Sequence, residues 1–445
     1  MGSNEDDFDL NLDDNEISVE RYTCHIIMLM QYSSIRKIDN TMPVLRWKNM
    51  ATMGIIVTLM IFDFLLLASE LINMKNAPNM EILVINIDGI WMHFTGFVKW
   101  SYYTWNMTKF MDNYDTLKKC HLLCKKVNKC DSGYTKFQTK MEKARLNCKI
   151  FMYSFIGFFC YGAVHWMMNP LFIQSYQSGV TNNVTSKIRQ LPFHSQIPWN
   201  IDHLFGYSCA YTAQLIGEMG SVFGNCSMDV FYVGSLMIAC AQLEYLNYSL
   251  ADEENIEFVN RFLTRNIDLE KKLKECVIYH QAILKYLKSF EELISLPMFI
   301  HCIYTTGALC LISFQASIIS ETTDLASVIK LWSLVEYFLF TCYQCFCFCF
   351  YASYIATVGL QVANSAYYSS WELIMHNKHE KFNNIGRSEI RNVKCFMQMI
   401  IMRSQQPILL NAGPFYVLSL ETFKALLGMA ISYSIVLRRV NSIEN

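Results

Sequence analysis

Ionisable side chains inside apolar stretches are the features of this sequence that could do chemistry. One apolar run, 50–72, holds Asp63 and Glu70, and a second, about 80–100, holds Glu81, Asp88, His93 and Lys99. Such groups are expensive in an apolar surrounding, so they face a protein interior or a water-filled cavity. Two readings stay open for each: a polar contact that joins two helices, or a group that touches a ligand. His93 and His165 are isolated. The chain has no His-rich box, no nucleophile motif and no paired carboxylates at metal spacing, so no catalytic residue, metal or cofactor is predicted. The 17 cysteines do not change this. Cys345, Cys347 and Cys349 sit in an apolar run, where a thiol behaves as a small hydrophobe. Cys120, Cys124 and Cys130 sit in a Lys-rich segment whose spacing matches no zinc pattern, and thiols on the cytosolic side stay reduced.

The elements that must position these groups are membrane helices. The chain has 445 residues, 53% hydrophobic and 17% charged, against about 25% charged in an average soluble protein. A net charge of −1 gives no global field for nucleic acid. A span needs roughly 20 mostly apolar residues. Seven segments qualify: 50–72, 80–100, 148–171, 203–245, 296–319, 328–355 and 414–437. The fourth is long enough to project beyond the bilayer. Pro407, Ala412, Gly413 and Pro414 separate the last from a short helix before it. The predicted fold class is an all-α membrane protein of seven transmembrane helices. Residues 1–49 form a cytosolic N-terminal region, and 50–355 carry spans one to six. Residues 247–294 form a cytosolic helical extension, 356–413 a cytosolic loop with a short helix, and 414–438 the seventh span.

Charge sets the orientation, because Lys and Arg stay on the cytoplasmic side. The segments 1–49, 101–147, 247–294 and 356–396 together hold 27 Lys and Arg, whereas the alternate connectors hold 3. The N-terminus is therefore expected inside and the C-terminus outside. The acidic first 20 residues do not read as a signal peptide. This orientation is opposite to that of a G-protein-coupled receptor, and the DRY and NPxxY motifs are missing. Of the four sequons, at Asn106, Asn183, Asn225 and Asn247, only Asn183 falls in a predicted outer loop and is expected to carry glycan. Within 247–294, Leu269, Leu273, Val277, His280, Leu284 and Leu287 recur every three or four residues. That spacing predicts a helix leading into span five, with its apolar stripe against the end of span four and the helix at 397–406. A helix lying on the membrane surface is the alternative.

A family becomes recognisable in the C-terminal third, which resembles the insect odorant receptors. The residues that carry the resemblance are Ala366-Tyr367-Tyr368-Ser369-Ser370-Trp371, Arg403-Ser404-Gln405-Gln406-Pro407, Ser419-Leu420-Glu421-Thr422-Phe423 and Ser432-Tyr433-Ser434. Weaker similarity covers Leu191-Pro192-Phe193, Pro198-Trp199, Cys240-Ala241-Gln242-Leu243 and His280 with Ile283-Leu284. The short connector between spans four and five resembles the odorant-tuned receptors and not the shared co-receptor. The resemblance implies a plasma-membrane tetramer with co-receptor subunits and a cation pore lined by the last spans. It also implies a small volatile odorant held among spans two to six, and cytosolic helices that make most subunit contacts.

On the last span, Ala425, Met429, Ser432, Val436 and Arg439 share one helical face. Four such faces around an axis would leave a mostly apolar tube, which can close by dewetting. Val436 matches the family's hydrophobic gate, with Tyr433 one turn before it. Arg439 departs from the co-receptor pattern, and four arginines around a cation pore would repel the ion. An odorant site should be an aromatic cavity with few polar groups. The candidates are His93, Phe94 and Phe97 in span two, Ser154, Gly157 and Tyr161 in span three, Tyr207 and Tyr211 in span four, and Tyr337 in span six. Competing readings are a gustatory receptor-like channel, a G-protein-coupled-type receptor, an enzyme and a secondary transporter. The Ser432-Tyr433-Ser434 and Ser419–Phe423 strings favour the odorant side.

Overall fold

The computed structural model describes residues 21–23, 43–76, 80–127, 131–180, 189–251, 267–319, 325–368 and 387–444. These form nine long helices and a small hairpin. In chain order they are α1 (Pro43–Asn73), α2 (Met80–Trp105), α3 (Met107–Val127), α4 (Asp131–Val180), α5 (Leu204–Ala251), α6 (Ile267–Ile319), α7 (Leu325–Tyr367), α8 (Arg387–Ser404), the strands β1 (Asn411–Ala412) and β2 (Tyr416–Val417), and α9 (Leu420–Glu444). Parts of α1, α4, α5, α6 and α7 are long and apolar enough to cross a membrane. Helices α2 and α9 occupy the second and seventh predicted spans, but among the described residues neither holds a window picked out by length and composition alone. Ile55, Ile61, Leu65, Val164, Trp332 and Leu339 are exposed on the outer faces. An apolar surface of that extent suits lipid and not water.

Several helices run well past the bilayer. At 1.5 Å per residue, the 48 residues of α5 span about 72 Å, against a hydrocarbon core of roughly 30 Å. From residue 267 onward, the predicted 247–294 extension runs into span five as one 53-residue helix, α6. The basic connector 101–147 also differs from a loop. It consists largely of α3 and the first third of α4. On α3, Phe110, Asn113, Leu117, Cys120 and Cys124 follow three- and four-residue steps, and all are buried. On α4, Phe137, Met141, Ala144 and Cys148 do the same. Lysines fill the other faces, which lowers the average hydropathy and hides the stripe. Burial pushes the Cys120 thiol up to about 12, and raises Cys124 as well, so neither is a reactive thiolate.

This projecting end forms one packed body with the membrane bundle. The stripe predicted on α6 buries Leu273, Val277, His280 and Leu287, with Leu284 half-buried; the Leu269 side chain lies outside those described. Its partners are α8, α5 and, in addition, α3. Asn113 Nδ2 donates to the Tyr286 carbonyl at 3.3 Å, Tyr279 Oη to the Gln242 carbonyl at 3.4 Å, and Asn392 Nδ2 to Glu270 at 2.8 Å.

The break before the last span is a built corner. Residues 411–417 pair as β1 and β2, with Gly413 at φ 63°. A Cβ there would lie 2.8 Å from the Phe299 ring, so both the backbone conformation and the close approach require glycine. The Gly413 amide donates to Ser295 Oγ at 2.9 Å, and Glu291 accepts from the Asn411 amide at 3.2 Å, which fastens the hairpin to α6. The last helix starts at Leu420 and not at 414. Ser419 Oγ accepts from the Thr422 amide at 3.1 Å, an N-cap that fixes the first turn.

Candidate ligand cavity and pore helix

Close helix approach builds the site. Gly220 and Gly224 lie one turn apart on α5. A Cβ on Gly220 would sit 2.5 Å from the Leu59 carbonyl oxygen of α1, and one on Gly224 2.5 Å from the Gly96 carbonyl oxygen of α2. This is the small-residue packing that draws membrane helices together, and it turns Glu218 and Asn225 toward the interior of the bundle. A cavity of about 90 Å³ lies there among α2, α4, α5, α6 and α7. Its apolar wall is aromatic: Phe158, Phe159 and Trp166 from α4, Phe193 from the outer loop, Tyr304 from α6, and Tyr337 and Phe340 from α7. Its polar groups are Asp88, Glu218, Asn225, Ser333, Glu336, Gln344 and His165. Seating one water takes roughly 10–15 Å³, so the space admits a small organic molecule.

A buried polar framework holds these walls. His93 Nδ1 sits 2.8 Å from Glu70, and its Nε2 sits 3.0 Å from Glu218. Lys99 Nζ donates to Asp229 Oδ1 at 2.7 Å, and Gln344 Nε2 to Asp229 Oδ2 at 2.5 Å. All six side chains are buried. Tyr304 and Tyr337 share a hydroxyl contact of 2.7 Å. Toward the outer side lies a larger vestibule of about 570 Å³, bordered by Arg189–Ser195 of the outer loop. Trp166, Phe193 and Ser333 line both spaces and so form the partition between them. Gln214 pins that loop through the Phe193 amide (3.1 Å), the Phe193 carbonyl (3.0 Å) and Ser195 Oγ (2.7 Å).

The last helix is anchored on one side and bare beyond it. Leu426 and Ala430 of α9 are buried against the bundle. After Ala430 the burial stops: Ile431, Tyr433, Ile435 and Val436 are 51–60% exposed. Ser432 and Arg439 are exposed too, while Met429 is half-buried against the core. Ser432 Oγ donates back to the Gly428 carbonyl at 2.9 Å, satisfying its hydroxyl within the helix.

A family profile described as 7tm odorant receptor matches residues 89–431. The chain belongs to this family. It is a receptor family and not an enzyme family. Odorant receptor 10 of Aedes albopictus is 23% identical over 57% of this chain and 61% of its own length. The odorant receptor coreceptor of Ooceraea biroi is 24% identical over 37% of this chain and 30% of its own. The chain spans about half the length of the curated relatives it matches. The solved structure of the olfactory receptor OR5 from Machilis hrabei in complex with eugenol superposes with a TM-score of 0.72 at 14% identity. It covers 95% of this chain and 98% of that one, which shows a common fold.

In this chain, Tyr337 is the one sequence-predicted contact that lines the cavity. His93 lies one layer behind, where it braces Glu218 and meets the Phe193 ring edge-on at 4.7 Å. Phe94 is exposed and borders a shallow outward groove with Trp91, Ile300 and Ile303. Phe97 packs on Phe64 of α1 at 5.6 Å. Ser154, Gly157 and Tyr161 face outward. Ser154 donates to the Phe151 carbonyl at 2.9 Å, and Tyr161 stacks on His165 at 5.9 Å. The face of α4 that turns inward is the next one round, with Phe158, Gly162, His165 and Trp166. Tyr207 donates to the Gln190 carbonyl at 3.0 Å, and Tyr211 to that of Met167; both tie the outer end together. Asn183 lies outside the described residues. The other sequons fall at helical or junction positions, with Asn225 buried and Asn247 bonded to the Val358 carbonyl at 3.1 Å.

The residues sequence reasoning missed left a weak signal. Asp88 was visible as an intramembrane charge, but Glu336 and His165 needed their partner: His165 Nδ1 is 2.6 Å from Glu336 across α4 and α7. Among the described residues no group of three or more His, Cys, Asp or Glu could hold a metal.

Proposed function

We propose that this chain is the odorant-binding subunit of a ligand-gated cation channel in the plasma membrane, assembled with co-receptor subunits. The cavity enclosed by spans two to six carries the reading: it is aromatic, membrane-embedded and sized for a small volatile ligand. The bare end of α9 supports the channel. The exposed apolar side chains Ile431, Tyr433, Ile435 and Val436 need cover, and neighbouring subunits around a shared pore would supply it, with lipid on the outer faces. Met429, Ser432, Tyr433 and Val436 would then face or flank the conduction path, with Val436 as the gate and Arg439 beyond it. The partition formed by Trp166, Phe193 and Ser333 would separate bound ligand from the vestibule. Four Arg439 side chains would oppose cations, so channels need co-receptor subunits to conduct well.

The test is current recording in cells that express the chain with and without a co-receptor, against a broad odorant panel. Odorant-evoked cation current is expected only with the co-receptor, and Arg439→Ser should raise whatever current the chain carries alone. Robust odorant-evoked current from the unmodified chain alone would contradict the assembly, and silence in both settings, with protein at the surface, would contradict the function.

A further inference from the structure

Three carboxylates line the cavity: Asp88, Glu218 and Glu336. The single basic lining side chain is His165. Two of the three are incompletely satisfied. Glu218 is engaged by His93 at 3.0 Å. Glu336 meets His165 through Oε2, but its Oε1 has no hydrogen-bond partner. Asp88 is held through Oδ2 by Gln315 Nε2 at 3.5 Å and also interacts with the Tyr337 hydroxyl, while its Oδ1 makes no hydrogen bond of normal geometry. Asp88 is 4% exposed and Glu336 9%. A buried acceptor without a donor costs free energy, and more so when charged. Two such oxygens on one small cavity therefore ask for a ligand that brings N–H groups, and carboxylates ask for positive charge. The rest of the wall agrees, because Phe158, Trp166, Tyr304 and Tyr337 present aromatic rings, and rings around a cation attract it through their quadrupoles.

Resting on the reading of this cavity as the ligand site, we propose that its preferred ligands are small primary amines, with the ammonium group facing Asp88 and Glu336 and the hydrocarbon body among the aromatic rings. Ligands that only accept hydrogen bonds would leave both oxygens bare and bring like polarity to them. Gly162 keeps the acidic corner open, since a Cβ there would lie 3.1 Å from Glu336 Oε1.

The experiment uses the full chain with its co-receptor and triplets of probes on one carbon skeleton: benzylamine, benzyl alcohol and benzaldehyde, and the corresponding butyl and hexyl compounds. Concentration–response currents are recorded at neutral pH, with surface protein measured by labelling. The amine is expected to act at a concentration at least tenfold lower than the aldehyde of the same skeleton. Asp88→Asn and Glu336→Gln should each shrink that ratio; because the ratio is taken within one variant, changes in expression cancel. Where a variant does not reach the surface, the wild-type ratio decides. Aldehydes acting as well as amines, or an amine preference untouched by both variants, would overturn the amine assignment and leave the odorant-receptor reading standing. Silence to all triplets while other odorants evoke current would do the same. Silence to every odorant tested would overturn both.

Discussion

The Lys99–Asp229 pair offers the sharpest test of how the bundle is held. Lys99 is 1% exposed and Asp229 0%, with Nζ 2.7 Å from Oδ1. Asp229 also accepts from Gln344, and Lys99 approaches His301 Nδ1 at 3.4 Å, so one pair ties α2, α5, α6 and α7. Two effects compete when Lys99→Met is made. The lost hydrogen bond is small, since such contacts between membrane helices average about 0.6 kcal/mol. The stranded charge is large, because removing one partner of a buried pair costs roughly 3–5 kcal/mol. The second should win, so Lys99→Met is expected to fall sharply in surface level and in melting temperature, measured in detergent by size-exclusion fluorescence. Asp229→Asn should behave similarly, with Lys99 left uncompensated. The double variant carries neither charge and keeps an amide to meet Gln344, so it should recover most of the loss, a coupling of several kcal/mol between neighbours. If either single variant melts like the unmodified protein, or if the double variant is as poor as the sum of the two, the pair does not hold the bundle as described.

Two further outcomes follow from the geometry. Gly162→Ala should raise the half-maximal concentration of any cavity ligand several-fold, because its methyl group enters the space beside Glu336, whereas Gly157→Ala should change nothing, having no atom within 4 Å of its Cβ; equal effects in dose–response recordings would reverse the assignment of the inward face of α4. Cys120 and Cys124 are buried with raised thiols, so less thiolate is present at neutral pH and both should resist maleimide until the protein is unfolded. The exposed Cys395 on α8 should react at once, but with a membrane-impermeant reagent only after permeabilisation; mass spectrometry of intact cells showing Cys395 labelled from outside would invert the topology.

Sequence alone determined the class of the molecule. Apolar length marks spans one and three to six by composition, because a backbone in lipid must satisfy its own hydrogen bonds and a helix of about 20 apolar residues does so. The strings at 366–371, 403–407, 419–423 and 432–434 pointed to the family, and the profile over 89–431 agrees. Local patterns also held inside elements: Leu273, Val277, His280 and Leu287 are buried as their spacing predicted. Tertiary structure decided which face of each helix meets which neighbour. A rotation of one residue, about 100°, separates Gly157 from Phe158, and both faces of α4 are apolar enough to face lipid or protein, so periodicity could not choose between them. The same holds for charges. Asp88, His93 and Lys99 were legible as intramembrane groups, but only folding shows that Lys99 and His93 are paired and internal, while Asp88 lines the same cavity as Glu336, 248 residues further along the chain. A sequence records which charges must be sheltered; the partners that shelter them come from helices brought together by glycine contacts distant in the chain.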